Sequence, residues 1–134
     1  MDSVDSQKAG TFVYPRHTIE RAILALICSP FKVHLFMVMY NQSIPSSALI
    51  GENGYQQGYT QGNLSDLTCQ NNLSWLIDVG LLRREVDGQG ITDSYRLTPL
   101  GRQAIAEFAD KELPQPSWSD RLKNAFTRWL RLPF

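Results

Sequence analysis

Three consecutive carboxamide side chains, Gln70, Asn71 and Asn72, stand in a polar stretch of residues 63–79. A carboxamide donates and accepts hydrogen bonds at the same time, so it can pair with two atoms on the edge of an adenine base. The chemistry that this cluster offers is base readout from an exposed helix. Such chemistry requires an element that holds the amides outward and cations that meet the phosphates beside them.

The cations that this chemistry needs are missing from the cluster itself. Between residues 41 and 80 the chain contains no Lys or Arg, although Asp66 and Asp78 are present. Phosphate neutralisation supplies most of the non-specific affinity for DNA, so the helix depends on neighbouring elements for its charge. The candidates for phosphate contact are Arg83, Arg84, Arg96 and Arg102. Weak, solvated pairs with nearby acidic side chains are the alternative for these arginines, and both interpretations stay open.

Motifs for catalysis and metal binding are not found in this sequence. His17 and His34 lie in or near apolar segments, and neither has the spacing to a carboxylate or a cysteine that a metal or an activated nucleophile requires. The glycines of residues 54–62 lack the Lys-Ser/Thr pair of a phosphate-binding loop. We therefore expect no enzyme activity, no cofactor and no metal site.

Composition is typical of one small globular domain with extensions, since 43% of the 134 residues are hydrophobic and 19% are charged. The formal net charge of zero gives no overall attraction to nucleic acid or acidic lipid, so any attraction must be local. Cys28 and Cys69 lie far apart in apolar patterns, which predicts two buried free thiols in a reducing compartment. The acidic, polar N-terminus does not resemble a secretion signal. We expect a cytoplasmic protein.

A helix is predicted to begin at residue 63 or 65 and to end at residue 79. Its inner stripe includes Leu73, Leu76 and Ile77, which recur at helical spacing. Gly80 follows and can adopt the left-handed conformation that ends a helix. The other side chains of the helix, Trp75 among them, are then expected to face outward or toward the β-hairpin that follows, the wing.

A β-hairpin is predicted to follow this helix. Residues 81–86 and 91–97 flank a turn that is rich in Asp and Gly, and glycine tolerates the backbone angles of a tight turn. Thr98 can cap a further helix, with Pro99 at its first position, where the missing N–H costs nothing. This last helix is expected to continue toward Leu113.

In this order of helix, hairpin and helix, residues 63–108 resemble the winged-helix superfamily, and MarR-type and PadR-type regulators in particular. The similarity is carried by the Gly-Leu end of the first helix, the short wing, and the Leu-Thr-Pro-Leu-Gly-Arg turn that begins at Leu97. The resemblance implies a mainly α fold with a small β-hairpin, a winged helix-turn-helix with added N-terminal and C-terminal helices. It also implies that Thr68, Gln70 and Asn71 occupy positions that contact DNA in similar regulators. The full set of candidate base-reading residues is Thr68, Gln70, Asn71 and Asn72.

Two apolar helices are predicted earlier in the chain, at residues 19–28 with Thr18 as the cap, and at residues 31–40. Pro30 and Lys32 interrupt the apolar stretch, and each half is shorter than the roughly 20 residues that span a bilayer. The first helix is apolar around most of its circumference, which is more than one core-facing stripe requires. Part of that surface is therefore expected to contact another chain.

The segment between these helices and the amide cluster is predicted to be mostly loop. Residues 47–51 fit a short helix, in the place of the first helix of a helix-turn-helix. Residues 54–62 repeat Gly-Tyr at a spacing of four, and such glycine density favours a loop. Tyr55 and Tyr59 with the neighbouring glutamines form either an adaptable contact surface or a solvated insertion.

The C-terminal part of the chain is predicted to be a basic amphipathic helix that follows a stiff Pro-Gln-Pro spacer. Ser117 and Asp120 fit a capping box at its start. The apolar residues that gather on one side are Trp118, Leu122, Phe126, Trp129 and Leu130. Three interpretations stay open: docking on its own domain or on a dimer mate, binding in a groove of another protein, and resting on a membrane surface.

The predicted organisation is a flexible leader (1–15), a winged-helix domain (16–112), a spacer (113–116) and the C-terminal helix (117–134). The residues expected to share one core are Leu73, Leu76, Ile77, Leu81, Leu97, Leu100 and Ile105. The residues expected to contact a dimer mate or another partner are Ile19, Ile23, Leu26, Trp118, Leu122, Phe126 and Trp129.

The function that these features predict is sequence-specific binding of double-stranded DNA by a homodimeric transcriptional regulator. The alternative is a winged-helix protein–protein interaction module that attaches to a larger assembly through its Tyr/Gln loop or its C-terminal helix. The amides and the wing arginines favour DNA, whereas the absence of cations between residues 41 and 80 favours the alternative. We do not expect a membrane partner.

Overall fold

The computed structural model describes residues 14–108 and 118–130. Helices account for most of their regular structure, and a small antiparallel sheet accompanies them, as the sequence predicts. In chain order the elements are α1 (Arg16–Ile27), α2 (Val33–Val38), β1 (Ile44–Pro45), a 3₁₀ turn (Ser46–Ala48), α3 (Gly51–Gln56), α4 (Asp66–Asp78), β2 (Leu82–Asp87), β3 (Gly90–Leu97), α5 (Pro99–Ala106) and α6 (Trp118–Leu130).

The sheet consists of the predicted hairpin, β2 and β3, and of the short strand β1, which pairs with the other edge of β3. The register places Arg83 opposite Arg96 and Arg84 opposite Tyr95, and an irregularity follows between Arg84 and Val86. Because side chains alternate along a strand, the two pairs lie on opposite faces of the sheet. Tyr95 is buried, so its face is the one that meets the core.

The ends of α4 and the start of α5 follow the predicted local signals. Ser65 Oγ accepts a hydrogen bond from the Thr68 N–H at the start of α4, at 3.1 Å. Gly80, with φ of +88°, adopts the left-handed conformation just beyond the helix end. Thr98 Oγ1 accepts from the Gly101 N–H at the start of α5, at 3.0 Å. The predictions for Gly80 and Thr98 are confirmed, and α4 begins within one residue of the predicted residue 65, because each of these signals depends on residues within one helical turn.

The N-terminal helices differ from the prediction at their ends. Pro15, in an extended conformation, precedes the first turn of α1, and no side chain caps it. Thr18 lies inside the helix, where its N–H donates to the Pro15 carbonyl at 3.0 Å, so the predicted Thr18 cap is wrong. Helix α2 is shorter than residues 31–40, because Phe31 forms a β-bridge with Thr60 instead of joining the helix.

The loop predicted for residues 54–62 begins too early. Helix α3 continues through Gly54 and ends at Gln56, and it takes the place of the short helix predicted at residues 47–51. Gly54 is buried, and a Cβ at this position would overlap the backbone carbonyl of Leu49. Gly54 therefore allows α3 to pack closely against the Leu49 backbone. The density of glycines in the sequence does not reveal this role.

The core lies between the N-terminal helices and the segment from α4 to α5. The predicted core residues are confirmed: Leu73, Leu76, Leu81, Leu97, Leu100 and Ile105 are buried, and Ile77 is half-buried against them. The first two helices and the residues beside them complete this core with side chains that are fully buried, namely Leu26, Phe31, Leu35, Phe36 and Met39.

Several predicted segments lie outside the described residues. Residues 109–113 of the predicted continuation of α5, the spacer at 113–116 and the capping residue Ser117 fall there, together with residues 1–13 of the leader. Within the described residues, α5 ends at Ala106, and the predicted continuation through Phe108 is wrong, because Glu107 and Phe108 form a turn in which each N–H donates to the carbonyl three residues earlier. In the part of the chain that the structure does describe, no helix is long and apolar enough to cross a membrane.

Replacing Gly101 with alanine is expected to destabilise the fold. Gly101 is buried, and a Cβ there would overlap the carbonyl oxygen of Leu81 and approach Leu97 Cδ2 to 2.8 Å. Overpacking of this kind costs about 1–3 kcal/mol, which urea unfolding followed by circular dichroism will measure. Gly88→Ala is the matched control, because open space surrounds Gly88. Equal losses in the two variants would contradict the close contact.

Candidate nucleic-acid interface

Helix α4 has a different environment on each of its sides. On its core side, Cys69, Leu73 and Leu76 are fully buried. The opposite positions of the helical repeat form a surface that we name the outer face, made of Leu67, Asn71, Ser74 and Asp78. Leu67 is 71% exposed, and Asn71 and Asp78 are exposed as well. Of the predicted base-reading residues, Asn71 therefore lies on the outer face.

On one flank of α4, Gln70 meets the sheet. The Tyr95 hydroxyl donates to Gln70 Oε1 at 3.3 Å, and the Arg84 guanidinium lies 5.5 Å from the centre of the Tyr95 ring. Tyr95 is buried, and burial raises the pKa of its phenol, so the hydroxyl keeps its proton and can donate. The exposed cation Arg84 thus lies on the same flank as Gln70, with the Tyr95 ring between them.

Two other predicted phosphate contacts lie on the opposite face of the hairpin. Glu85 pairs with both of them, since its carboxylate oxygens lie 2.8 Å from Arg96 Nη1 and 3.8 Å from Arg83 Nη1. This is the acidic pairing that the sequence left open as an alternative. Such partly exposed pairs contribute about 0–1 kcal/mol to stability, but they lower the net charge that this face presents.

Arg102 contacts the end of α2 and does not join the hairpin arginines. Its Nη2 donates to the Tyr40 carbonyl at 2.7 Å, and the Tyr40 hydroxyl donates to the Arg102 carbonyl at 2.7 Å. The guanidinium also lies 5.3 Å from the centre of the Tyr40 ring. This reciprocal pair of hydrogen bonds fastens α5 to the segment that follows α2. Arg102 therefore stabilises the packing of α5.

The other flank of α4 is covered by α6. Trp75 is 4% exposed, and its Nε1 donates to Asn124 Oδ1 at 3.2 Å. The prediction that Trp75 faces outward or toward the wing is therefore wrong, because α6 packs on α1 of its own chain and its side chains bond to those of α4. A tryptophan among polar residues was the sequence signal that another element covers this flank, since such a large apolar side chain is seldom left in water.

Arg128 connects α6 to the amide cluster. Its Nη1 donates to Asn72 Oδ1 at 3.1 Å, and its Nη2 donates to the Asn71 carbonyl at 2.9 Å. Asn72 Nδ2 in turn donates to the Thr68 carbonyl at 2.8 Å. Both ends of the Asn72 carboxamide are thus bonded within the chain. Sequence reasoning missed this contact, because Asn72 and Arg128 are separated by 56 positions and no pattern in the sequence links them.

A cleft of about 320 Å³ opens between α4, α6 and the end of α1. Arg121 of α6 lines it together with Thr68 and Asn72 of α4. Helix α6 therefore brings two arginines to a helix whose own surroundings in sequence contain none. The cations that residues 41–80 lack come from a distant part of the chain.

The two cysteines are free thiols, as predicted. Cys69 is fully buried on the core side of α4, and burial raises its pKa to about 11. Cys28 is half-buried at the end of α1, where its Sγ lies 3.7 Å from the Asp120 carbonyl, and burial raises its pKa as well. Within residues 14–108 and 118–130, no three His, Cys, Asp or Glu side chains form a group that could hold a metal ion.

The residues predicted to contact a partner chain lie in different environments. Ile19 and Leu26 are buried in the core of their own chain, and Ile23 is half-buried. The extra apolar surface of α1 packs on α4, α5 and α6 instead of remaining open. Leu122 on α6 is 56% exposed. The side chains that lie beyond the described structure are Trp118, Phe126 and Trp129.

Asn124→Ala is expected to loosen α6 from α4. The substitution leaves the buried N–H of Trp75 without its acceptor, which costs about 1–3 kcal/mol. Native-state hydrogen exchange should then show faster exchange of the α6 amides. Lys123→Ala is the control, since Lys123 is an exposed neighbour on the same helix. Unchanged exchange in the Asn124 variant would contradict the packing of α6 over the indole.

Comparison with known proteins gives one family. No curated protein and no solved structure matches the chain. A family model described as Npun_F0494-like matches residues 12–128. The matched range includes every element from α1 to the Arg128 end of α6, so the pattern of the family extends over α4 and both of its flanks. The chain belongs to the Npun_F0494-like family.

Proposed function

We propose that this chain is a winged-helix protein that binds double-stranded DNA as a homodimer and regulates transcription, with α4 as the helix that enters the major groove. The order of elements from α2 to β3 supports this fold, and so does the sheet order β1-β3-β2. In a helix-turn-helix protein the second helix of the motif carries the base-reading side chains, and α4 follows α3 in that position.

The observation that carries the proposal is the presence of cations on both flanks of the outer face. Arg84 lies on the wing flank, and Arg121 and Arg128 lie on the α6 flank. The major groove is about 12 Å wide, which is close to the diameter of a helix with its side chains. Groups on the two flanks of an inserted helix therefore meet the phosphates of the two strands.

The structure supports a revised assignment of the amide cluster. Asn71 reads a base edge, because its carboxamide is on the outer face, and Thr68 is exposed beside it in the first turns of α4. Gln70 accepts from Tyr95 through Oε1, which leaves its NH₂ group to donate to a base. Asn72 holds Arg128 in place and does not read bases, since both ends of its carboxamide are engaged.

Protein binding is a second candidate function, and exposed apolar side chains favour it. Val86 and Ile91 pair across the hairpin and are 61% and 72% exposed, and Leu67 is exposed on the outer face. Apolar groups of this size in water are typical of contact surfaces. Of the two tyrosines of the predicted Tyr/Gln loop, Tyr55 lies on α3 and is exposed, whereas Tyr59 is half-buried and stacks on a histidine ring.

Substitutions on the outer face and on its flanks should affect DNA binding differently. Asn71→Ala should reduce discrimination between DNA sequences, because the amide carries no charge. Arg84→Gln and Arg121→Gln should weaken binding to all sequences, and each should lower the salt dependence by about one unit of slope. Fluorescence anisotropy with genomic fragments, including the region upstream of the protein's own gene, measures both effects across a salt series.

Arg16→Gln is the matched control for the loss of one charge. Arg16 lies on α1, where it is exposed and pairs with Glu20 at 3.1 Å. The variant should therefore leave the affinity for DNA and the salt slope unchanged. Failure of the folded protein to bind any fragment at low salt would reject DNA binding and favour the protein-binding function.

The homodimer is expected to use surface outside α1, because the apolar side of that helix packs within its own chain. Leu122 is an exposed leucine on α6 and is the contact that we test. Sedimentation equilibrium at micromolar concentration should give a dimer, and Leu122→Ser should shift it toward monomer. A monomer for the unmodified protein would contradict the dimeric part of the proposal.

A further inference from the structure

The cleft between α4 and α6 is lined by groups that suit a small ligand. Its volume of about 320 Å³ lies in the range of small-molecule sites. The residues that line it are Ile27, Cys28, Ser29, Pro30, Gln61, Thr68, Asn72 and Arg121. They come from the end of α1, the loop before α2, the loop before α4, and helices α4 and α6, so the folded chain is needed to assemble them.

The only charged side chain among the described residues that line this cleft is a cation. Arg121 contributes a guanidinium, and no Asp or Glu belongs to the lining. The neighbouring residue Asp120 lines a second cleft, on the α1 side of α6, together with Lys123, and its charge also helps to raise the pKa of the Cys28 thiol in the first cleft. Within the described part of the chain, Arg121 has no ion pair. A guanidinium in a cleft whose lining has no carboxylate favours an anionic ligand.

The polar side chains of the lining differ in which hydrogen-bond donors and acceptors remain available to a ligand. The Ser29 hydroxyl donates to the Leu26 carbonyl at 2.8 Å and accepts from a backbone N–H, so it has no proton left to donate to a ligand. Thr68 Oγ1 accepts from Ser65 at 3.0 Å, which leaves its own proton to donate. Gln61 is exposed at the rim and presents a carboxamide. Donors and acceptors beside a cation suit an anion that also carries hydroxyl groups.

We propose that this cleft binds a small hydroxylated anion, with its charged group on the Arg121 guanidinium and its hydroxyl groups on Thr68 and Gln61. The volume corresponds to about ten water molecules in the liquid, which limits the ligand to roughly ten non-hydrogen atoms. A carboxylate and a phosphate ester share this chemistry. Arg121 and Thr68 border both this cleft and the proposed DNA surface, so binding to the cleft is tested without DNA.

Isothermal titration of the full chain without DNA tests the proposal with three probes: glycerate, glycerol 3-phosphate and uncharged glycerol. At least one of the two anions should bind, and which of them binds tighter identifies the class of charged group. Glycerol should not bind, because it lacks the charge that Arg121 selects. Arg121→Gln should weaken anion binding by about tenfold or more, since a hydrogen bond to a charged group is lost.

Lys123→Gln is the matched control, because Lys123 is exposed on the same helix but lines the other cleft. It should change the affinity by less than about twofold. Thr68→Val provides a second, uncharged alteration of the lining and should also weaken binding, with circular dichroism melts to verify that each variant is folded. Absence of binding of both anions at millimolar concentration would overturn the proposal. Equal affinity of the Arg121 and Lys123 variants, or equal binding of glycerol, would overturn it too.

Discussion

The packing of α4 is the constraint on which the other features of this structure depend. Because Leu73 and its neighbours on the core side are buried, helical periodicity fixes the direction of every other side chain on the helix. Trp75 and Asn72 then point to one flank, and Gln70 points to the other. Asn71 is left on the outer face. The hairpin and α6 are the elements that cover the two flanks, so their positions follow from the orientation of α4.

The two flanks are held by different interactions. On the wing flank the link is a hydrogen bond of 3.3 Å between Tyr95 and Gln70, and cation–aromatic contact adds to it. On the α6 flank a buried indole N–H needs its acceptor on Asn124, and a buried donor without a partner costs more than a surface salt bridge contributes. We infer that α6 is fixed to α4 more firmly than the arginines of the hairpin are fixed to Glu85.

Local signals made part of this fold predictable from sequence. The cap at Thr98 and the end of α4 at Gly80 depend on neighbours within one turn, and the structure agrees with both. The position of α6 was not predictable, because Trp75 and Asn124 are 49 residues apart and no periodicity links them. Gly54 was misjudged for a similar reason, since its partner is a backbone carbonyl brought close by the fold.

The candidate site shows why a net charge of zero says little about partners. Charge acts over about 10 Å in salt solution, so the positions of the cations decide what a surface attracts. Folding places α6, and with it Arg121, beside α4, a helix that has no cation of its own. There Arg121 borders both the proposed DNA surface and the anion cleft. One guanidinium cannot pair at full strength with a DNA phosphate and with a bound anion at the same time. We therefore expect DNA and the anion to compete for Arg121.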